Sequence, residues 1–82
     1  MSVVLALDLG TTAFKAAVVD EDGVRGPVAV APYALDYAAD GAVTCDPERY
    51  VRTAFRALRA AARTARAQDL RVRAVGISSQ AQ

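Results

Sequence analysis

One amphipathic helical pattern separates two blocks of β-type sequence, and this order constrains the fold more than any other feature of the chain. Asp46, Pro47 and Glu48 are typical of a helix start, because aspartate caps free amides, proline suits the first helical position and glutamate favours the positive end of the helix dipole. Apolar residues then recur at helical spacing to about Ala67 and predict one buried stripe. Its members are Val51, Ala54, Phe55, Leu58, Ala61, Ala62 and Ala65.

The sequence on either side of the helix predicts four strands. Apolar and β-branched runs place them at residues 3–7, 14–19, 24–33 and 70–78. The acidic segment 20–23 predicts a tight turn between the second and third strands. Pro27 and Pro32 favour an edge position or a bulge for the third strand. Residues 34–46 are predicted to form a loop.

This order predicts the topology. A strand that follows a helical crossover pairs parallel with an earlier strand, and we expect it beside the first one, through a right-handed connection. The helix then covers one sheet face, while the other face and one edge stay uncovered. The β-β-β-α-β order is that of the first half of a ribonuclease-H-like layer.

The turn between the first two strands carries the residues with chemistry. Asp8 ends an apolar strand, where a carboxylate is costly unless a divalent cation offsets its desolvation. Gly10 allows a tight turn close to a ligand. The amides of Gly10, Thr11 and Thr12 could converge on an anionic oxygen, with two hydroxyl groups as further donors. These residues predict a site for a metal-bound polyphosphate.

Lys15 is expected on the opposite sheet face from Phe14, where its charge could neutralise phosphate. An alternative interpretation of the same segment is a plain hairpin, in which Asp8 and the threonines satisfy turn amides. The position between two strands at the start of the chain favours the phosphate site. Both interpretations remain open from these residues alone.

Three stretches in combination resemble the FGGY family of carbohydrate kinases, which includes xylulokinase, gluconokinase and glycerol kinase. The first is L-A-L-D-L-G-T-T at 5–12, followed by K-A-A-V-V-D at 15–20. The second, G-A-V-T-C-D-P-E at 41–48, is similar to the family's G-W-V-E-Q-D-P-E. The third, V-G-I-S-S-Q at 75–80, is similar to a strand ending in G-I-S-G-Q. The second stretch departs from the family where its tryptophan, glutamate and glutamine are replaced.

The resemblance implies an α/β, ribonuclease-H-like fold of the actin and sugar-kinase ATPase superfamily. Residues 1–82 would be the β-β-β-α-β first half of an incomplete N-terminal domain. The implied activity is transfer of the γ-phosphate of ATP to a sugar or polyol in a cleft between two domains. Asp8 would act through Mg²⁺, Thr11 and Thr12 would contact the transferring phosphate, and Gly10 and Lys15 would bind the nucleotide.

The last three residues match the start of the family's sugar-contacting segment. Xylulokinases have methionine and histidine at the positions of Ala81 and Gln82, and glycerol kinases have arginine and glutamate. This chain has Gln80, Ala81 and Gln82 there, so the resemblance names neither xylulose nor glycerol as substrate. The amide of Gln82 can hydrogen-bond a polyol but cannot act as an acid or base.

The resemblance also places the catalytic base toward the sugar and the adenine-binding domain beyond these 82 residues. The remainder of the kinase chain is therefore an expected partner, and the family allows a homodimer of the full-length enzyme. Phosphoryl transfer needs a positioned nucleophile as well as charge neutralisation. We predict that the isolated chain has no kinase activity.

Two alternatives have different consequences. A heat-shock chaperone ATPase or an actin-like protein also ends its first strand in D-x-G-T-T, although Lys15 and the helix start at 46–48 favour the kinase. The second alternative is a non-enzymatic, truncated binding module. Open edges and an uncovered face predict poor solubility or self-association for such a piece.

Composition excludes several classes of partner. The formal net charge is +1, which gives no reason to expect nucleic acid. Five arginines on one helix face, at 52, 56, 59, 63 and 66, are interpreted as a solvated outer face. No apolar run predicts a membrane span or a leader peptide, and a single cysteine fits a reducing compartment, so we expect a cytoplasmic protein.

Overall fold

The computed structural model describes residues 2–10, 13–32, 36–37, 43–44 and 47–79. Seven strands and one helix occur in these ranges. In chain order they are β1 (Ser2–Leu9), β2 (Ala13–Asp20), β3 (Gly23–Val24), β4 (Ala29–Pro32), β5 (Asp36–Tyr37), β6 (Val43–Thr44), α1 (Pro47–Ala67) and β7 (Arg71–Ser79).

The main sheet is built around β1. This strand pairs antiparallel with β2 on one side and parallel with β7 on the other. The order is β3-β2-β1-β7, and β4 pairs with β2 as well. The predicted β-β-β-α-β, ribonuclease-H-like topology is therefore confirmed, including a last strand parallel to the first. The predicted loop at 34–46 differs, because β5 and β6 pair there as a short antiparallel ladder.

The third predicted strand is broken in two. Val24 pairs with Val19 and Ala29 pairs with Ala16, so that residues 25–28 lie opposite the short stretch between those two partners on β2. Pro27 falls within the break, where a residue without an amide hydrogen costs no ladder bond. The predicted edge position is confirmed, whereas the predicted continuity over 24–33 is wrong.

The acidic turn before β3 is held by its own side chains. Asp20 Oδ1 accepts a hydrogen bond from the amide of Asp22 at 2.8 Å. Asp20 Oδ2 lies 2.7 Å from Nη1 of Arg25. The Arg25 guanidinium and the Asp22 amide hold the pKa of Asp20 below its ordinary value. The cluster of carboxylates is thus explained by turn chemistry, as predicted.

The core lies between one sheet face and α1. Side chains alternate along β1 and β2, and the inward set comprises Val3, Leu5, Leu7, Phe14, Ala16 and Val18. Ala57, Ala61 and Ala65 of α1 pack onto it. The Phe14 and Tyr50 rings meet edge to face, with centroids 4.7 Å apart. Small residues on the helix let it lie close to the large side chains of the sheet.

The predicted helix boundaries are confirmed, and five of the seven residues of the predicted stripe lie on the core side: Ala61 and Ala65 are buried, and Ala54, Leu58 and Ala62 are partly buried against the core. The prediction is wrong for the other two. α1 buries Thr53, Ala57, Ala61 and Ala65. Val51 and Phe55 of the predicted stripe are 50% and 57% exposed. Thr53 can be buried because its hydroxyl donates to the carbonyl of Arg49 at 2.8 Å. The centre of the buried face therefore runs along Thr53, Ala57, Ala61 and Ala65, since close approach to the sheet favours small side chains, and the larger Val51 and Phe55 lie outside it.

The outer face and the end of α1 follow from the same packing. The five arginines of the predicted solvated face are all exposed. After Ala67 the helix closes with a Schellman-type end: Leu70 donates to the carbonyl of Ala65 and Asp69 to that of Arg66. Asp69 adopts the left-handed conformation, with φ 57°. This end turns the chain back toward the sheet, into β7.

One sheet face and the β7 edge are uncovered within the described residues. Every residue of β7 is exposed. Val75 and Ile77 pair with Leu5 and Leu7 on the helix side of the sheet, yet they are 48% and 64% exposed because α1 does not reach this edge. On the opposite face Ala6, Asp8 and Lys15 are exposed. The predicted uncovered face is confirmed.

No helix in the described part of the chain combines the length and apolar content that a bilayer crossing requires.

The packing of α1 against the sheet generates a prediction. Ala61→Leu places extra volume against the sheet and should lower the free energy of unfolding by about 1–3 kcal/mol. Phe55→Ala removes a larger but exposed side chain and should cost less than about 1 kcal/mol. Urea unfolding followed by circular dichroism measures both. A larger loss for Phe55→Ala than for Ala61→Leu would contradict the observed packing.

The turn at Asp20 generates a second prediction. Its pKa is lowered by its partners, so its carboxylate stabilises the fold above the unfolded pKa, and this contribution disappears as the pH falls through the lower, folded pKa. Asp20→Asn should therefore lower the thermal midpoint at pH 7, with the difference from the unsubstituted chain shrinking as the pH drops below about 4. Glu21→Gln, which changes an exposed carboxylate in the same turn, is the matched control and should lower the thermal midpoint at pH 7 by less than Asp20→Asn does.

Candidate functional site

Three polar side chains form a row across the uncovered sheet face. Asp8 on β1 pairs with Lys15 on β2 and with Ser78 on β7. Residues that pair directly on neighbouring strands share one face of the sheet. The row lies near the end of β1, one residue before the strand stops at Leu9. An ammonium, a carboxylate and a hydroxyl group therefore stand side by side.

Strand alternation explains why Asp8 lies on this face. Leu5 and Leu7 point into the core, so Ala6 and Asp8 point the other way and are exposed. The expectation that Asp8 is desolvated by its strand is therefore wrong for the described fold. Its carboxylate lies in water at the end of the strand and is accessible to a cation.

Lys15 lies where the sequence predicts it. Phe14 is fully buried against the helix, and Lys15 is exposed on the opposite face. Neither Asp8 nor Lys15 takes part in an ion pair with another residue that the structure describes. Both charges are therefore open to a ligand with groups of opposite sign.

Ser78 is a neighbour of Asp8 that sequence reasoning missed. Its Oγ donates to Asp8 Oδ1 at 3.4 Å. The parallel register brings the two residues together, and a strand sequence does not reveal its register with a strand so distant in the chain. The sequence did offer one signal for this contact, because Ser78 is a hydroxyl residue near the end of a strand that was predicted to pair with β1.

Gly10 closes the turn after β1. Its amide donates to the carbonyl oxygen of Ala13 at 3.2 Å. The sequence predicted that this amide would be available to an anion, but the turn itself uses it. A Cβ at Gly10 would lie 2.7 Å from that same oxygen. Glycine is therefore required by the close approach of the two backbones, and the turn places Asp8 and Lys15 across from each other.

The row borders a shallow apolar concavity on the uncovered face. Its walls include Ala17, Val19, Val24, Val28 and Gly76 as well as the three polar residues. Ala17 has a small side chain and Gly76 has none, which leaves room above the sheet next to Asp8. A ligand seated here would have apolar surface beneath it and charge at one end.

The remaining predicted site residues lie outside the described ranges. They are Thr11, Thr12, Gln80, Ala81 and Gln82. The described strands that flank them end close together, since Leu9 pairs with Ser79. The structure thus brings together Asp8, Gly10 and Lys15 of the predicted set, and it does not describe the others.

The donor set suits a magnesium ion carried by a polyphosphate. No group of three or more histidine, cysteine, aspartate or glutamate side chains is arranged for a metal within the residues that the structure describes. Mg²⁺ prefers hard oxygen ligands and is commonly held by one or two carboxylates together with substrate phosphates. The exposed carboxylate of Asp8 could supply one such oxygen ligand, and the ammonium group of Lys15 beside it could face the phosphates.

Comparison with known proteins shows which family the chain belongs to. The model for the FGGY family of carbohydrate kinases, N-terminal domain, matches residues 3–82. A glycerol kinase of Aromatoleum aromaticum is 39% identical over 80 residues, which cover 98% of this chain and 16% of that protein. A glycerol kinase of Rhodospirillum centenum is 38% identical over 77 residues, covering 94% and 16%. The chain spans a small part of the length of these relatives.

The turn after β1 generates a prediction. Gly10→Ala drives a methyl group against the Ala13 carbonyl, so we expect it to lower the free energy of unfolding by about 1–3 kcal/mol. Gly76→Ala is the matched control, because nothing lies within 4 Å of its added Cβ. It should change stability by less than about 0.5 kcal/mol. Chemical unfolding of both variants measures this, and equal effects would contradict the steric role of Gly10.

Proposed function

The chain belongs to the FGGY family of carbohydrate kinases, and we propose that it forms the N-terminal part of an ATP-dependent enzyme that phosphorylates a hydroxyl group of a sugar or polyol. Family membership separates it from the chaperone and actin-like ATPases that share the D-x-G-T-T turn. Because the chain spans 16% of the length of the relatives, the activity proposed is that of a longer protein. A cytoplasmic location, where ATP is available, accords with this role.

The pairing of Asp8 with Lys15 carries the proposal. Two opposite charges lie side by side, exposed, at the end of a strand whose turn contains an obligatory glycine. In the proposed complex Asp8 provides an oxygen ligand to Mg²⁺, and Lys15 approaches the nucleotide phosphates. When bound, Mg²⁺ neutralises charge on the transferring phosphoryl group. Gly10, Thr11 and Thr12 complete the proposed phosphate-binding turn.

The acceptor is proposed only as a sugar or polyol. Both relatives described above are named glycerol kinases, so glycerol belongs in any panel of acceptors. Gln80, Ala81 and Gln82 nevertheless lack the arginine and glutamate that the resemblance gives for glycerol kinases. A neutral amide can hydrogen-bond a hydroxyl group of many polyols, so these residues favour binding of the acceptor without naming it.

The rest of the reaction is assigned to the remainder of the kinase chain. The resemblance places the base toward the sugar hydroxyl and the adenine-binding domain there. The described residues supply charge neutralisation without a positioned nucleophile, so we expect the isolated chain to transfer no phosphate.

The test uses the chain joined to the remainder of the proposed kinase. Asp8→Ala should lower kcat at least about a hundredfold across pentoses, polyols and glycerol, because a ligand that stabilises transition-state charge is lost. Formation of ADP measures turnover. Glu21→Gln, which changes an exposed carboxylate in a distant turn, is the matched control and should keep its activity.

Three outcomes would each contradict a part of the proposal. Undiminished turnover of Asp8→Ala would remove the proposed role of this carboxylate. Absence of phosphoryl transfer to every sugar and polyol, in an assembled chain that binds Mg²⁺·ATP, would favour a non-enzymatic binding module. Activity of the 82-residue chain alone would show that the remainder is unnecessary.

A further inference from the structure

We propose that Ser78 is a positioning residue for Asp8: its hydroxyl group holds one carboxylate oxygen and so orients the other toward the cation. This inference deepens the proposed function and rests on it. The contact that carries it joins Ser78 Oγ, as donor, to Asp8 Oδ1 at 3.4 Å. The two residues are far apart in sequence and meet only through the pairing of β7 with β1.

A β-bulge creates this neighbourhood. β7 starts with Arg71 opposite Ser2 and Val72 opposite Val3, but Ala74 is opposite Val4. Arg73 is the extra residue. Continued in its initial register, β7 would place the apolar Ile77 beside Asp8. The bulge instead places Ser78 there, and bulges near functional sites commonly redirect a side chain in this way.

The hydroxyl group of Ser78 can reduce the entropy cost of fixing the Asp8 side chain. An exposed carboxylate on a short side chain samples several rotamers in water, and fixing one costs conformational entropy when a cation binds. Lys15 flanks Asp8 on the β2 side and Ser78 flanks it on the β7 side. A donor on the β7 side can take Oδ1 and leave the second oxygen for the metal.

The separation also indicates how the contact responds to a ligand. Hydroxyl donors usually lie about 2.5–3.0 Å from their acceptors, so 3.4 Å is a loose hydrogen bond. Hydrogen bonds at functional sites are often long without substrate and tighten in the complex. Ser78 is therefore placed to shorten its contact when the Asp8 carboxylate is fixed by a cation.

The chain offers a matched control in the next residue. Ser79 pairs with Leu9 and so belongs to the opposite sheet face from Ser78. Ser79→Ala removes the same hydroxyl group from the same strand without touching the Asp8 row. Ser78→Thr keeps a hydroxyl group on a residue that suits a strand, and it serves as the conservative variant.

The experiment uses the 82-residue chain, labelled for NMR, with two readouts. Three-bond couplings to the Asp8 β-protons report its rotamer populations without metal. Broadening of amide signals during titration with Mn²⁺·ATP, and with Mn²⁺ alone, reports binding of the cation. We expect Ser78→Ala to spread the Asp8 rotamers and to weaken Mn²⁺·ATP binding about three- to tenfold, which corresponds to the loss of one hydrogen bond. Ser78→Thr and Ser79→Ala should keep both properties.

The outcomes separate this inference from the proposed function. If Ser78→Ala matches Ser79→Ala in either readout while Asp8→Ala abolishes binding, the positioning role is overturned and the cation site stands. If Asp8→Ala binds Mn²⁺·ATP as the unsubstituted chain does, the proposed site itself fails, and the rotamer populations still decide whether Ser78 orients Asp8.

Discussion

The parallel pairing of β1 with β7 is the constraint on which the rest of the structure depends. It requires a crossover, and α1 provides one by packing over β1 and β2 before its Schellman-type end at Asp69 returns the chain to the sheet. The bulge at Arg73 then decides which residue of β7 stands beside Asp8. The fold and the candidate site thus share one cause, because the same ladder that completes the sheet assembles the polar row.

The two faces of the sheet differ in structure: one packs against the helix and the other is open. One face packs large residues such as Phe14 against alanines of α1, and this close contact is the source of the core. The other face keeps Asp8 and Lys15 exposed beside a shallow apolar concavity. Period-two alternation links the two, since each inward residue of β1 and β2 places its neighbour outward. The chemistry can therefore lie on the open face without disturbing the packing beneath it.

The proposed phosphate site would account for residues that the local structure does not require. A hairpin would need neither the carboxylate of Asp8 at the end of β1 nor a lysine directly across from it. Gly10, by contrast, is explained by the turn alone. Its amide donates to the carbonyl oxygen of Ala13, and the same oxygen occupies the space that a Cβ would need. The proposed phosphate contacts of this turn consequently fall to Thr11 and Thr12, together with Lys15.

Sequence alone determined the element order, the helix boundaries, the parallel last strand and the opposite directions of Phe14 and Lys15. These follow from local rules: capping, period-two alternation and the length of a crossover. Tertiary structure decided the break in the third strand, the exposure of Val51 and Phe55 on α1, and the contact of Ser78 with Asp8. Each of those depends on contacts between distant residues, where the volume of an alanine against a sheet, or one extra residue in a ladder, changes which side chains meet.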